Sequence, residues 1–122
     1  RSSKGKIKIS QITNLNLTNF SKIKFNGEIE KCDISHASNI KFDGLINNII
    51  INEESKGKFR LINKDVNIDI SSSKLKILTF SKIHGILKEK STLKTNSIHT
   101  DIFCDDISKI KLISTSFIIN DL

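Results

Sequence analysis

Apolar and polar residues alternate along this chain in short runs, and the runs return at a fixed interval. Val66-Asn67-Ile68-Asp69-Ile70 and Leu15-Asn16-Leu17 alternate with period two, and Ile49-Ile50-Ile51 is a compact β-branched run. These are strand signals, and nowhere does the apolar spacing of an amphipathic helix appear. The interval is 17 or 18 residues. A Ser followed three positions later by Lys opens each of seven copies, at Ser3, Ser21, Ser38, Ser55, Ser73, Ser91 and Ser108, with Lys6, Lys24, Lys41, Lys58, Lys76, Lys94 and Lys111 as the paired lysines. A constant period of this length is that of one coil of a β-solenoid.

Alternation along a strand assigns each position a face. The second and fourth positions after the Ser hold Ile7, Ile23, Phe25, Ile40, Phe42, Phe59, Leu75, Ile77, Leu93, Ile110 and Leu112, with Gly5, Gly57 and Thr95 as exceptions. They predict an inward face. The first and third positions carry twelve lysines and no acid, the second column being Lys4, Lys22, Lys56, Lys74 and Lys109. They predict an outward, cationic face. The expected fold is therefore all-β, a single solenoid domain over residues 1–122 with about six to seven coils, each of about three short strands. Corners are expected near Asn26-Gly27, Asp43-Gly44, Asn47-Asn48, Asn63-Lys64-Asp65 and Asp105-Asp106, where the residue types tolerate turn dihedrals. The competing geometry is one β-hairpin per repeat in an antiparallel barrel or sandwich. It needs a mid-repeat turn, and the Asn-Gly and Asp-Gly pairs are not repeated in later copies.

At 122 residues the chain is one domain at most, and a solenoid of this size relies on stacked coils that bury their apolar edges against one another. Pro, Met, Trp and Tyr are absent, and the formal net charge is +7. No run is long and apolar enough for a spanning helix, and no signal-peptide pattern follows the basic start. The first residue, Arg1, predicts a fragment or processed form.

Candidate chemistry is sparse. Cys32 and Cys104 fall about four coils apart, roughly 19 Å at the usual strand spacing. That is beyond disulfide reach, so two free, inward thiols and a reducing compartment are expected. His36, His84 and His99 occupy different positions of different coils, so no set of three or four metal ligands converges. The carboxylates Glu28, Glu30, Asp33, Asp43, Asp65, Asp69, Asp101 and Asp105 are dispersed rather than clustered as a hydrolase needs. No phosphate cradle or nucleophile elbow is present, and the chain reads as a non-enzyme without cofactor or metal. The lysine face fits an anionic partner such as a membrane surface, or else a merely solvated face. Nucleic acid is disfavoured because no Phe falls on that face to stack bases. The ends matter as well. Neither carries a legible cap, so Ile7, Ile9, Leu15 and Leu17 at one end and Leu112, Phe117 and Ile119 at the other are the expected contacts for end-to-end self-assembly.

Three C-terminal segments, Ser81-Lys82-Ile83-His84-Gly85-Ile86-Leu87-Lys88, Thr100-Asp101-Ile102-Phe103-Cys104-Asp105-Asp106-Ile107 and Thr115-Ser116-Phe117-Ile118-Ile119-Asn120, resemble the recurring segments of bactofilins. Ile23-Lys24-Phe25-Asn26-Gly27-Glu28-Ile29 and Ile40-Lys41-Phe42-Asp43-Gly44-Leu45-Ile46 read the same way. Thr100, Thr115 and Asn120 replace family glycines, and the family's flanking tails, which carry its membrane attachment, are absent. The resemblance implies a right-handed triangular β-helix that polymerises without nucleotide into cytoplasmic, membrane-associated filaments scaffolding cell-shape and envelope-synthesis proteins. It places Phe117 at the subunit contact. The repeat from Ser21 to Ala37 is also similar to coils of the actin-binding C-terminal domain of cyclase-associated proteins, although that family's Pro, Tyr and Trp are missing. A bacterial adhesin stalk is a third class, and it would require a secretion signal.

Overall fold

The computed structural model describes residues 4–62, 65–79, 82–97 and 100–113, with side chains described from residue 13 onward. Ten strands make up one sheet: β1 (Lys4–Leu17), β2 (Lys22–Ile34), β3 (Asn39–Ile51), β4 (Lys56–Leu61), β5 (Val66–Ser71), β6 (Lys74–Leu78), β7 (Ile83–Lys88), β8 (Thr92–Thr95), β9 (Thr100–Cys104) and β10 (Lys109–Leu112). Every pairing among them is parallel, which excludes the hairpin alternative and gives a β-solenoid. One face stacks the first halves of β1, β2 and β3 under β4, β6, β8 and β10. Another stacks their second halves under β5, β7 and β9.

Register follows the sequence repeat without slippage on the first face. Phe25 pairs with Phe42 and Phe42 with Phe59; the first two rings stack with centroids 5.6 Å apart, and the second pair is tilted with centroids 6.0 Å apart. On the second face Ile34, Ile51, Ile70 and Leu87 form one fully buried column, and Cys32, Ile49 and Ile68 another. Each such aliphatic or aromatic side chain contributes roughly 1.5–3 kcal/mol by leaving water. The inward assignment holds for Phe25, Phe42, Phe59, Ile40, Leu75, Ile77 and Leu93, and Ile23 is half-buried. Ile110 and Leu112 depart from it, at 39% and 57% exposed, because β10 is covered on one side only by β8 among the described residues.

The strands and corners differ from expectation. Instead of three short strands, each of the first three coils is one strand of 13 or 14 residues. Asn26-Gly27 and Asp43-Gly44 lie inside β2 and β3, where Gly27 and Gly44 bend the strand with φ of 142° and 140°. A Cβ on Gly44 would sit 1.9 Å from the Gly27 carbonyl oxygen, so the close approach of successive bends requires glycine. Asn47-Asn48 is strand rather than corner, and Asn63-Lys64 lies outside the described residues. The Asp105-Asp106 region does turn.

Apart from Asn19, Ser72 and the Asp105-Asp106 region, the corners fall at residue types with little turn preference. Asn19-Phe20, His36-Ala37, Glu53-Glu54 and Glu89-Lys90 are pairs with φ between 55° and 64°, and Ser72 is a single residue at 50°. Left-handed backbone at such residues costs of order 1–3 kcal/mol each. Stacking offsets it: Phe20 N–H donates to the His36 carbonyl at 2.9 Å, Ala37 N–H to Glu53 at 2.9 Å and Glu54 N–H to Ser72 at 2.8 Å. Behind the corners runs a buried serine ladder. The N–H groups of Ser21, Ser38, Ser55, Ser73 and Ser91 donate to the Oγ of Ser38, Ser55, Ser73, Ser91 and Ser108 at 3.0 to 3.3 Å. This is why Ser opens each repeat: a short hydroxyl can sit in the core and accept the N–H that the turning backbone turns away from its ladder.

Candidate functional site

Strand alternation and parallel register together place the lysines. Lys6, Lys24, Lys41, Lys58, Lys76, Lys94 and Lys111 pair in unbroken succession through β1, β2, β3, β4, β6, β8 and β10. From Lys24 on their side chains are described; all are exposed except Lys76, which is half-buried. The neighbouring outward column repeats Lys4, Lys22, Asn39, Lys56, Lys74, Thr92 and Lys109. Among the described residues, no carboxylate lies within ion-pair distance of these lysines. Like charges one strand spacing apart, about 4.8 Å, repel. The face therefore carries uncompensated positive potential along its length.

The third outward column changes character. In order it holds Asn26, Asp43, Arg60 and Leu78. Arg60 Nε donates to Asp43 Oδ1 at 2.9 Å and Nη2 to Oδ2 at 3.4 Å, a two-pronged pair across adjacent rungs. The hydrogen bond and charge of Asp43 push the Arg60 guanidinium up from its ordinary value. Both partners are largely exposed, so the pair adds little stability and serves to fix the two side chains. Between it and the lysine column lies a groove of about 300 Å³. On the other side of the pair a hollow of about 650 Å³ runs over Gly44, Leu45, Leu61 and Ile62.

The remaining candidates separate. Leu15 is half-buried and Leu17 is 8% exposed, both packed on β2 beside Cys32 and Ile34. For Ile7 and Ile9 only the backbone is described, and Phe117 and Ile119 lie outside the described residues, as does His99. Leu112 stands open, with Ile110, Phe103 at 70% and Ile107 at 61% exposure on the same end of the stack. Both cysteines are free thiols. Cys32 is fully buried, and burial, with the Asp33 charge second, pushes it up to about 12. Cys104 is half-buried and raised for the same kinds of reason.

Two features were hidden in the sequence. Asp65, His84 and Asp101 lie far apart in the chain, yet stacking sets His84 Nε2 3.8 Å from Asp65 and Nδ1 3.7 Å from Asp101. His36 Nε2 lies 2.9 Å from Glu53 on the next coil, while its Nδ1 meets Thr18 Oγ1 at 2.8 Å. Neither histidine is part of a group of three or more metal-ligating side chains among the described residues. The signal that could have found both contacts is their separation of 17 to 19 residues, one coil. Among the described residues no helix is long and apolar enough to cross a membrane. The chain matches no protein-family model, no curated protein and no solved structure.

Proposed function

We propose that this chain is a non-catalytic structural solenoid whose stack is continued end to end by further copies of itself, forming a nucleotide-independent homopolymer. In this reading the coil is right-handed and triangular, six to seven coils make up the subunit, and the polymer scaffolds envelope-synthesis proteins at the cytoplasmic face of a membrane, as the bactofilin resemblance implies. The observation that supports it is β10, which among the described residues pairs with β8 alone. Ile110 and Leu112 sit in the two inward columns, and in β8 the same columns hold Leu93 and Thr95 at 0% and 1% exposure. A further strand in register would cover both residues and hydrogen-bond to β10 on the side away from β8.

Size-exclusion chromatography across salt and protein concentration, with negative-stain electron microscopy of the same fractions, tests it. Filaments one solenoid wide are expected. Leu112→Arg places a charge in the joint and should give single subunits with an unchanged circular dichroism spectrum. A wild-type chain that elutes as one subunit under every condition would overturn the reading.

A further inference from the structure

Beside the lysine ladder runs a trough that end-to-end assembly does not use. One wall is Lys24, Lys41, Lys58 and Lys76, a cation on each of four consecutive rungs. At about 4.8 Å per rung, the four span roughly 14 Å along the solenoid axis. Facing them are Asn26, Asp43 and Arg60, an amide, an acceptor carboxylate and a donor guanidinium that between them offer both kinds of hydrogen bond. Past the Arg60–Asp43 pair the hollow is lined by half-buried Leu45, by Leu61 and by Ile62 at 64% exposure, with the exposed Glu28 carboxylate on the β2 rung. A ligand lying along the axis therefore meets three parallel strips: regularly spaced positive charge, mixed hydrogen bonding and apolar surface.

We propose that this trough binds an extended acidic polysaccharide of the polyuronate class. Its carboxylates lie on the lysine column, its hydroxyls reach Asn26, Asp43 and Arg60, and the C–H faces of its rings cover Leu45 and Ile62. A sugar acid carries all three kinds of surface on each residue, and the rungs of Lys41 and Lys58 present all three, while Glu28 on the β2 rung and Leu78 on the β6 rung interrupt the apolar and the hydrogen-bonding strips. Other polyanions fit less well. A bilayer is too broad to enter the trough and would engage Lys22, Lys56 and Lys74 equally. A single nucleic-acid strand stacks its bases on exposed aromatic rings, whereas Phe42 and Phe59 under this floor are 2% and 1% exposed.

The test is calorimetric titration of the whole chain at about 0.15 M salt, where weak exposed-charge adsorption is largely screened. The probes are polygalacturonate and its defined oligomers, with neutral dextran, single-stranded DNA and phosphatidylserine vesicles beside them. Polygalacturonate should bind and dextran should not, with oligomer affinity climbing to a length that spans the four rungs and then levelling. Lys41→Gln/Lys58→Gln should weaken binding about tenfold or more through two lost charged contacts. Lys56→Gln/Lys74→Gln makes the same charge change on the same face outside the trough, and should weaken it less than about threefold. Equal losses in the two variants, tighter binding of DNA or vesicles, or no binding to polygalacturonate would each overturn the proposal. Repeating the titration in the Leu112→Arg background keeps the result independent of assembly, since the trough lies within one chain.

Discussion

Ser73→Ala interrogates the feature that turns a sequence repeat into a stack. Ser73 is 4% exposed; its Oγ accepts the Ser55 N–H at 3.1 Å and donates to the Ser71 carbonyl at 2.9 Å. Removing it leaves the N–H of Ser55, a residue 1% exposed, without its acceptor. An orphaned buried donor costs about 1–3 kcal/mol, and the second lost bond about 1 kcal/mol more. The expected loss is therefore about 2–4 kcal/mol, a fall in Tm of roughly 8–15 °C for a domain of this size. Urea unfolding followed by circular dichroism measures it, with Ser71→Ala as the control. Ser71 is two residues away on the outward side, where its Oγ reaches Glu89 at 2.9 Å in a solvent-exposed bond, so that change should cost no more than about 0.5–1 kcal/mol. Equal effects from the two substitutions, or a Ser73→Ala loss below about 0.5 kcal/mol, would show that the serine ladder does not hold the coils in register.

Three further outcomes follow from the stack. Phe42→Ala opens a hole between Phe25 and Phe59 and should cost about 3–5 kcal/mol in the same unfolding assay; a negligible loss would contradict the inward register. Lys58→Gln removes repulsion from Lys41 and Lys76, its partners on either side. It should raise stability by up to about 1 kcal/mol at low salt, and the gain should vanish near 0.5 M salt as screening takes over. Cys32, raised to about 12 in the folded chain from an ordinary 9.0, favours the folded state only while the thiol is neutral. Its contribution is complete below about pH 9 and is lost as pH rises toward 12, by up to about 4 kcal/mol. The stability difference between wild type and Cys32→Val should therefore be flat to pH 9 and shrink above it; a flat difference to pH 11 would refute the burial of the thiol.

The solenoid explains why so few residue types suffice. Parallel in-register pairing sets each side chain on its own counterpart one coil away, so Phe meets Phe, Ser meets Ser and Lys meets Lys. Like-on-like stacking favours rings and hydroxyls and penalises charges. The lysine columns are thus held at an electrostatic cost, and an anionic polymer in the adjoining trough would relieve it.

Much of this was already decided along the chain. The 17 or 18 residue period, the alternation within each repeat and the unvarying Lys settle which residues face in, which face out and which pair across rungs, because a parallel stack turns sequence spacing directly into contact. Other features belong to the tertiary structure alone. Glu53-Glu54 and His36-Ala37 have no local preference for left-handed backbone; they adopt it because hydrogen bonds from the coils on either side hold it there. Asn26-Gly27 and Asp43-Gly44 look like turns in isolation, yet remain strand because the glycines can bend while their neighbours stay paired. The Asp65–His84–Asp101 contact and the trough beside Arg60 arise from three or more coils at once. Corners and grooves of this kind depend on the neighbouring coil, and local propensity, which reaches only a few residues, cannot specify them.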